Sequence, residues 1–176
     1  NLPSETRDMS VYGTVSFNMA WEKACACALG NVLDKKCRDF GITLQRRYAK
    51  RNMPDLTLKE IIDRPVVVTA KKDDEKYYKS DANLLKPDIV TLTKDEETWQ
   101  MDIYDAKYYL AHVNEVGKLK NLPGIGDITK EFLYELAYKE YRLAHGITMG
   151  RNAFVFPMED EANLILCKGE IKMKMF

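Results

Sequence analysis

The chain has 176 residues, 45% of them apolar and 31% charged, which is the make-up of an ordinary soluble globular protein with a core of its own. No apolar run approaches the roughly 18 residues that span a bilayer, and no signal peptide is expected. The 27 basic and 27 acidic side chains cancel, so the overall basic excess usual in nucleic-acid binders is missing.

The chain starts at Asn1 rather than at a methionine, which points to one domain, residues 1–176, excised from a longer protein. Residues 1–15 carry little pattern. From about Asn18 to Phe40, Trp21, Ala24, Cys25, Ala28, Val32 and Phe40 fall near helical spacing. This predicts one long helix, weakened at Gly30 and stopped at Gly41. The basic run QRRYAKR at 45–51 is either a solvated face or a patch that tracks phosphates. LTLKEIID suggests a short helix before Pro65, PVVVTA a β-branched strand, and KKDDEKYYKSDAN a polar loop.

LLKPDIVTLT and WQMDIYDAKYYL read as the two strands of a hairpin around the charged turn KDEET. A loop with Pro123, Gly124 and Gly126 follows. Asp127 is suited to cap a second long helix, ITKEFLYELAYKEYRLAH, which Gly146 ends. NAFVFP and ANLILCKGEIKMKMF read as two final strands. The order α, β, β, β, α, β, β suits a single α/β domain. Cys25, Cys27, Cys37 and Cys167 form neither a CxxC pair nor a framework of spaced bridges. Free buried thiols in a reducing cytoplasm are therefore expected rather than zinc.

The stretch MDIYDAKYY, residues 101–109, carries the chemistry. Strand alternation puts Asp105 and Lys107 on the face of Met101 and Ile103, with Tyr104, Ala106 and Tyr108 on the other. In a hairpin, Asp88 of KPDIV approaches Asp105. Two neighbouring carboxylates repel and raise their own pKa values unless a cation neutralises them, and a hard divalent ion such as Mg²⁺ takes oxygen ligands of this kind. The Lys107 ammonium is then placed to orient a water or to stabilise charge on a pentavalent phosphate. His112 and His145 have no second histidine or CxxC near them and receive no metal or general-base role. PGIG, lacking a GxGxxG or Walker pattern, reads first as turn chemistry.

Pro87-Asp88 followed by Asp105-Ala106-Lys107 resembles the signature of the PD-(D/E)XK nuclease superfamily, and the element order resembles its αβββαβ core. That resemblance implies a mixed central sheet flanked by helices. Trp21-Glu22, KPDIV, YDAKYY and LPGIGDITKEFLYELAYKEY together resemble the LlaJI family of restriction endonucleases over residues 17–157, with the nuclease subunit of McrBC-type systems a more distant relative. The resemblance implies a Mg²⁺-dependent endonuclease, with Mn²⁺ able to substitute, that cuts double-stranded DNA in a restriction system. Carried over by position, Asp88 and Asp105 resemble the metal-binding acids and Lys107 the catalytic lysine, with the Ala106 carbonyl as a further ligand. Glu22 resembles the helical acid that assists the metal or its water, or is a surface glutamate near a helix start.

The family often has lysine-glutamine where this chain has Lys130-Glu131. A glutamate there either adds a third acid to the site or points to solvent. Glu131, Tyr134, Tyr138, Tyr141 and His145 recur at helical steps, and the stripe reads for most of them as packing against the sheet, or else as one whose N-terminal end faces the scissile phosphate. The resemblance further implies an AAA-type, McrB-like partner that hydrolyses GTP or a related nucleotide, and it accommodates a homodimer. The same fold also serves DNA repair and phage recombination nucleases, and non-catalytic DNA- or partner-binding modules.

Overall fold

The computed structural model describes residues 17–42, 55–62, 66–70, 77–81, 85–110, 112–113, 115–116 and 118–157. The QRRYAKR patch, Cys167 and the final expected strand lie outside the described residues.

Helix α1 runs over Phe17–Leu29 and ends where Gly30 takes φ 73°. The long helix expected to Phe40 is thus two pieces, and Gly30 is its stop rather than a weak point. Beyond it, Asn31 offers the backbone another partner. Its Oδ1 accepts from Leu33 N at 3.1 Å and from Val90 N at 3.0 Å. Val32 and Leu33 are buried from this non-helical segment, so the apparent helical spacing of Val32 comes from core packing. A single 3₁₀ turn over Cys37–Phe40 follows, and Gly41 ends it at φ 67°. Short helix α2, Leu58–Ile61, appears where expected, with Glu60 Oε2 accepting from Thr57 N at 2.9 Å.

Strands β1 (Val66–Ala70) and β2 (Tyr77–Asp81) pair antiparallel in a two-stranded sheet of their own. The second half of the expected polar loop is therefore strand. Tyr77 and Tyr78 have the β propensity, and β1 supplies the ladder partner that a charge-rich composition does not reveal. Strands β3 (Ile89–Asp95) and β4 (Thr98–Ala106) form the expected hairpin, closed by Glu96 and Glu97, with Glu96 at φ 49°. The two-residue strands β5 (His112–Val113) and β6 (Leu119–Lys120) pair within the expected loop.

Helix α2 is followed, after the sheet strands, by α3 over Ile125–His145, which Gly146 ends at φ 64° while donating its N–H to Arg142 O. Gly124 is the N-cap, so Asp127 sits inside the first turn rather than capping it. Strand β7, Ile147–Val155, then lies parallel to β4 and completes a three-stranded mixed sheet in the order β3-β4-β7.

The central strand β4 is covered on both faces, as a mixed sheet between helices requires. Met101 and Ile103 pack with Val90, Tyr134, Tyr138 and Tyr141 beneath α3. Tyr104 and Ala106 pack with Ile89, Cys25 and half-buried Trp21 beneath α1. The alternation expected for 101–106 is therefore the one observed. Between Met101 and Ile103 the β4–β7 register slips, so that Gly150 and Arg151 together oppose Asp102. The bulge reverses the alternation of β7: Ile147 and Met149 face α3, whereas Ala153 and Val155 lie under α1. Asp102 holds it in place, its Oδ1 accepting from Arg151 N at 2.7 Å and its Oδ2 from the Tyr104 hydroxyl at 3.1 Å.

The result is an α/β architecture of restriction-endonuclease-like type, a mixed sheet flanked by helices. Among the described residues, no helix is long and apolar enough to cross a membrane. Cys25 and Cys37 are buried free thiols as expected, whereas Cys27 is free but exposed.

Candidate active site

The register sets the first pair. β3 and β4 pair up to Ile89 and Tyr104, so Asp88 and Asp105 lie one step beyond the last rung. There the main-chain ladder stops, and the Asp88 side chain replaces it: Oδ2 accepts from Ala106 N at 2.9 Å. Asp88 is itself held by its neighbours. Its carbonyl accepts from Asn31 Nδ2 at 3.3 Å, Pro87 before it is fully buried, and the Tyr134 hydroxyl donates to Lys86 O at 3.0 Å. On the other edge Lys107 N donates to Val155 O at 2.9 Å, which carries the β7 pairing one residue past β4.

Lys107 then folds back on the site. Its Nζ lies 2.8 Å from Asp105 Oδ2 and 2.9 Å from Asp127 Oδ1. Asp105 is buried, 6% exposed, as a carboxylate at the end of a doubly covered strand must be. Glu131, also 6% exposed, projects from α3 toward the same strand end, and neither of its oxygens meets a donor among the described residues. Glu22 comes from α1 on the opposite face, close enough for its charge to act on Asp88.

The electrostatics follow from this crowding. Burial pushes the Asp88 carboxyl up, and the charges of Asp105 and Glu22 add to it, against the Ala106 hydrogen bond and Lys107. Burial, then Asp105 and Asp88, push Glu131 up to about 8. Burial by itself would depress Lys107, but hydrogen bonds to Asp105 and Asp127 outweigh it and raise the ammonium's pKa. Asp127 is held low, first by its hydrogen bond to Lys107. Several acids thus share one half-buried lysine, and negative charge is left over.

That surplus is the test of whether a divalent ion fits. The available donors are oxygens, from Asp88, Asp105, Glu131 and the Ala106 carbonyl, and they suit a hard cation rather than a soft one. Among the described residues, no three His, Cys, Asp or Glu side chains form a ready-made metal cluster. A cation would therefore be held by few protein ligands and keep waters of its own, as Mg²⁺ commonly does.

The structure brings together Asp88, Asp105, Ala106, Lys107 and Glu131, and places Glu22 within electrostatic reach. The solvent-facing alternative for Glu131 is excluded by its burial. Of the aromatic stripe, Tyr134, Tyr138 and Tyr141 are core, with Tyr138 donating to Leu58 O at 3.0 Å. Sequence reasoning missed Asp127 as a partner of Lys107 and Asn31 as the clamp on the Asp88 strand. Asp127 had a signal, an acid directly after PGIG, but a helix cap accounted for it equally well.

A mixed sheet flanked by helices, with half-buried Asp88, buried Asp105 and Lys107 at its strand ends, is compatible with a restriction-endonuclease-like protein. The chain belongs to the LlaJI restriction endonuclease family, whose model matches residues 1–176. It is 29% identical over 172 residues to a protein described as the Type II restriction enzyme BsuMI component YdjA, from Bacillus subtilis (strain 168). That alignment covers 97% of this chain but 30% of the relative, so the chain spans less than a third of the relative's length. No solved structure matches the chain.

Proposed function

We propose that this chain is the nuclease domain of a restriction enzyme, hydrolysing phosphodiester bonds in double-stranded DNA with Mg²⁺. The observation that carries the reading is the convergence of Asp88, Asp105 and Lys107 at the open end of the β3–β4 hairpin, within a chain of the LlaJI family. Asp88, Asp105 and the Ala106 carbonyl would hold the ion. Bound there, Mg²⁺ or Mn²⁺ supplies positive charge for the phosphate oxygens and for the departing oxygen.

The residues divide the remaining work. Lys107, kept charged by its acid partners, donates to a phosphate oxygen or to the attacking water and offsets charge that grows in the transition state. Water adds to phosphorus, the 3′-oxygen leaves, and a 5′-phosphate remains. Burial and the neighbouring aspartates push the Glu131 carboxyl up to about 8, and burial raises Asp88 as well, so the charge of the site depends on pH. Glu22 adds negative potential from the α1 side.

The neutral net charge leaves much of the DNA affinity to other domains or subunits. The relative is described as an enzyme component, and this chain spans 30% of it. Both points support a domain of a larger assembly, with an AAA-type, McrB-like GTPase as the partner we propose and the cytoplasm as its place. Cleavage of supercoiled and linear double-stranded DNA, with Mg²⁺ and with chelator, tests the reading. Metal-dependent cutting that Asp105→Ala abolishes supports it. Chelator-resistant cutting, or cutting by Asp105→Ala at the wild-type rate, refutes it.

A further inference from the structure

Lys107 is divided between two acids from different elements. Asp105 is the next-to-last residue of the central strand with its side chain 9% exposed, whereas Asp127 stands in the first turn of α3 with its side chain 30% exposed. Asp127 is tied in place by its own N–H, which donates to Gly124 O at 3.0 Å, and Lys130 Nζ stands 3.9 Å from the same Oδ1 that Lys107 meets. An oxygen that ligates a divalent cation cannot keep a full contact with an ammonium, because the two cations repel across it. Cation binding at Asp105 therefore has to loosen the Lys107–Asp105 contact. Without a second acid, the lysine would lose its only carboxylate just when its charge is needed beside the phosphate.

We propose that Asp127 is the positioning residue for Lys107, holding the ammonium at the end of β4 while Asp105 exchanges the lysine for the metal. The inference rests on the nuclease reading of Asp88, Asp105 and Lys107 and adds to it a fourth acid that acts through the lysine rather than on the ion. Two other roles are open to an acid at this place. One is direct ligation of the ion; the other is a purely structural contribution at the positive end of α3. They separate experimentally, because only the proposed role requires Lys107.

The test is a cycle of four proteins: wild type, Asp127→Asn, Lys107→Ala and the double variant. Mn²⁺ binding is measured by calorimetry without DNA, and wild type and Asp127→Asn are compared in single-turnover cleavage at saturating Mg²⁺. In the wild-type background Asp127→Asn weakens Mn²⁺ about tenfold, because Asp105 becomes the sole carboxylate of a half-buried lysine, and it slows cleavage by at least as much. In the Lys107→Ala background the same substitution changes Mn²⁺ affinity by less than about twofold. Asp127→Glu, which restores a carboxylate, recovers cleavage.

Equal losses of Mn²⁺ affinity with and without Lys107 would make Asp127 a ligand or a field charge and overturn the proposal. Wild-type affinity and wild-type cleavage in Asp127→Asn would overturn it as well. Failure of the nuclease reading looks different: wild type itself neither binds Mn²⁺ nor cuts DNA and matches Asp105→Ala, and the inference falls with it.

Discussion

Glu131→Gln removes a carboxylate that the fold keeps dry and beside two aspartates. Its pKa rises from 4.5 to about 8, which at about 1.4 kcal/mol per unit puts the cost of the folded, ionised form at about 5 kcal/mol. A raised folded-state pKa means that the native protein holds this proton more tightly than the unfolded chain does. The associated stability is fully present below 4.5 and is lost as pH rises through about 8. Glutamine has no proton to lose over that window. Stability of the variant relative to wild type should therefore climb with pH, by about 3 kcal/mol between pH 4.5 and 7 and by about 5 kcal/mol once pH exceeds 8.

The buried amide adds a cost of its own, but one independent of pH, so the slope is the diagnostic quantity. Urea unfolding of both proteins, with chelator, across this pH range measures it. Divalent ion should recover stability in wild type most strongly near pH 8, where it pairs with the carboxylate. In Glu131→Gln metal should bind more weakly, and the pH dependence of cleavage should shift downward because the highest-titrating acid is gone. Stability curves that run parallel from acid to alkaline pH would refute the argument.

Asp105→Ala should abolish cleavage with little loss of folding, since Lys107 keeps Asp127 as a carboxylate partner and is not left uncompensated; a large fall in melting temperature with cutting intact would sink the assignment. Asp88→Ala should behave alike, and the two losses should be strongly non-additive because they share one ion, so additive losses would argue for separate roles. Lys107→Ala should stop turnover while leaving Mn²⁺ affinity equal or higher; loss of Mn²⁺ binding with the lysine would make its role structural. Gly150→Ala drives a methyl group into Asp102 Oδ1 and the Gln100 amide, and Asp102 is held there by Arg151 N and Tyr104, so unfolding should come about 1–3 kcal/mol earlier. A wild-type urea midpoint would show that the bulge is softer than its hydrogen bonds imply.

Sequence alone determined the elements whose information is local. The alternation of residues 101–106 gave both faces of β4, since period two survives in any strand. The short charged turn made the hairpin and, through its register, the approach of Asp88 to Asp105. Gly146 ended α3 because a left-handed backbone at that point asks for glycine. The resemblance to the LlaJI family was carried by these same stretches.

Tertiary structure decided what depends on partners distant in the chain. Val32 fits a helical pattern and is buried, yet Asn31 ties this segment to Val90 and the helix stops at Gly30. Asp102, with no mark in the sequence beyond its place in a strand, fixes the bulge that turns Ala153 and Val155 under α1. A helical wheel gives Glu131 the same face as Tyr134 and Tyr138, but whether that face meets solvent or aspartates depends on how α3 lies across the sheet. Asp127 reads as a cap because caps are local, and it meets Lys107 only because α3 begins beside the end of β4. Charge in this site is set by approach distances between elements, and no spacing along one element encodes those distances.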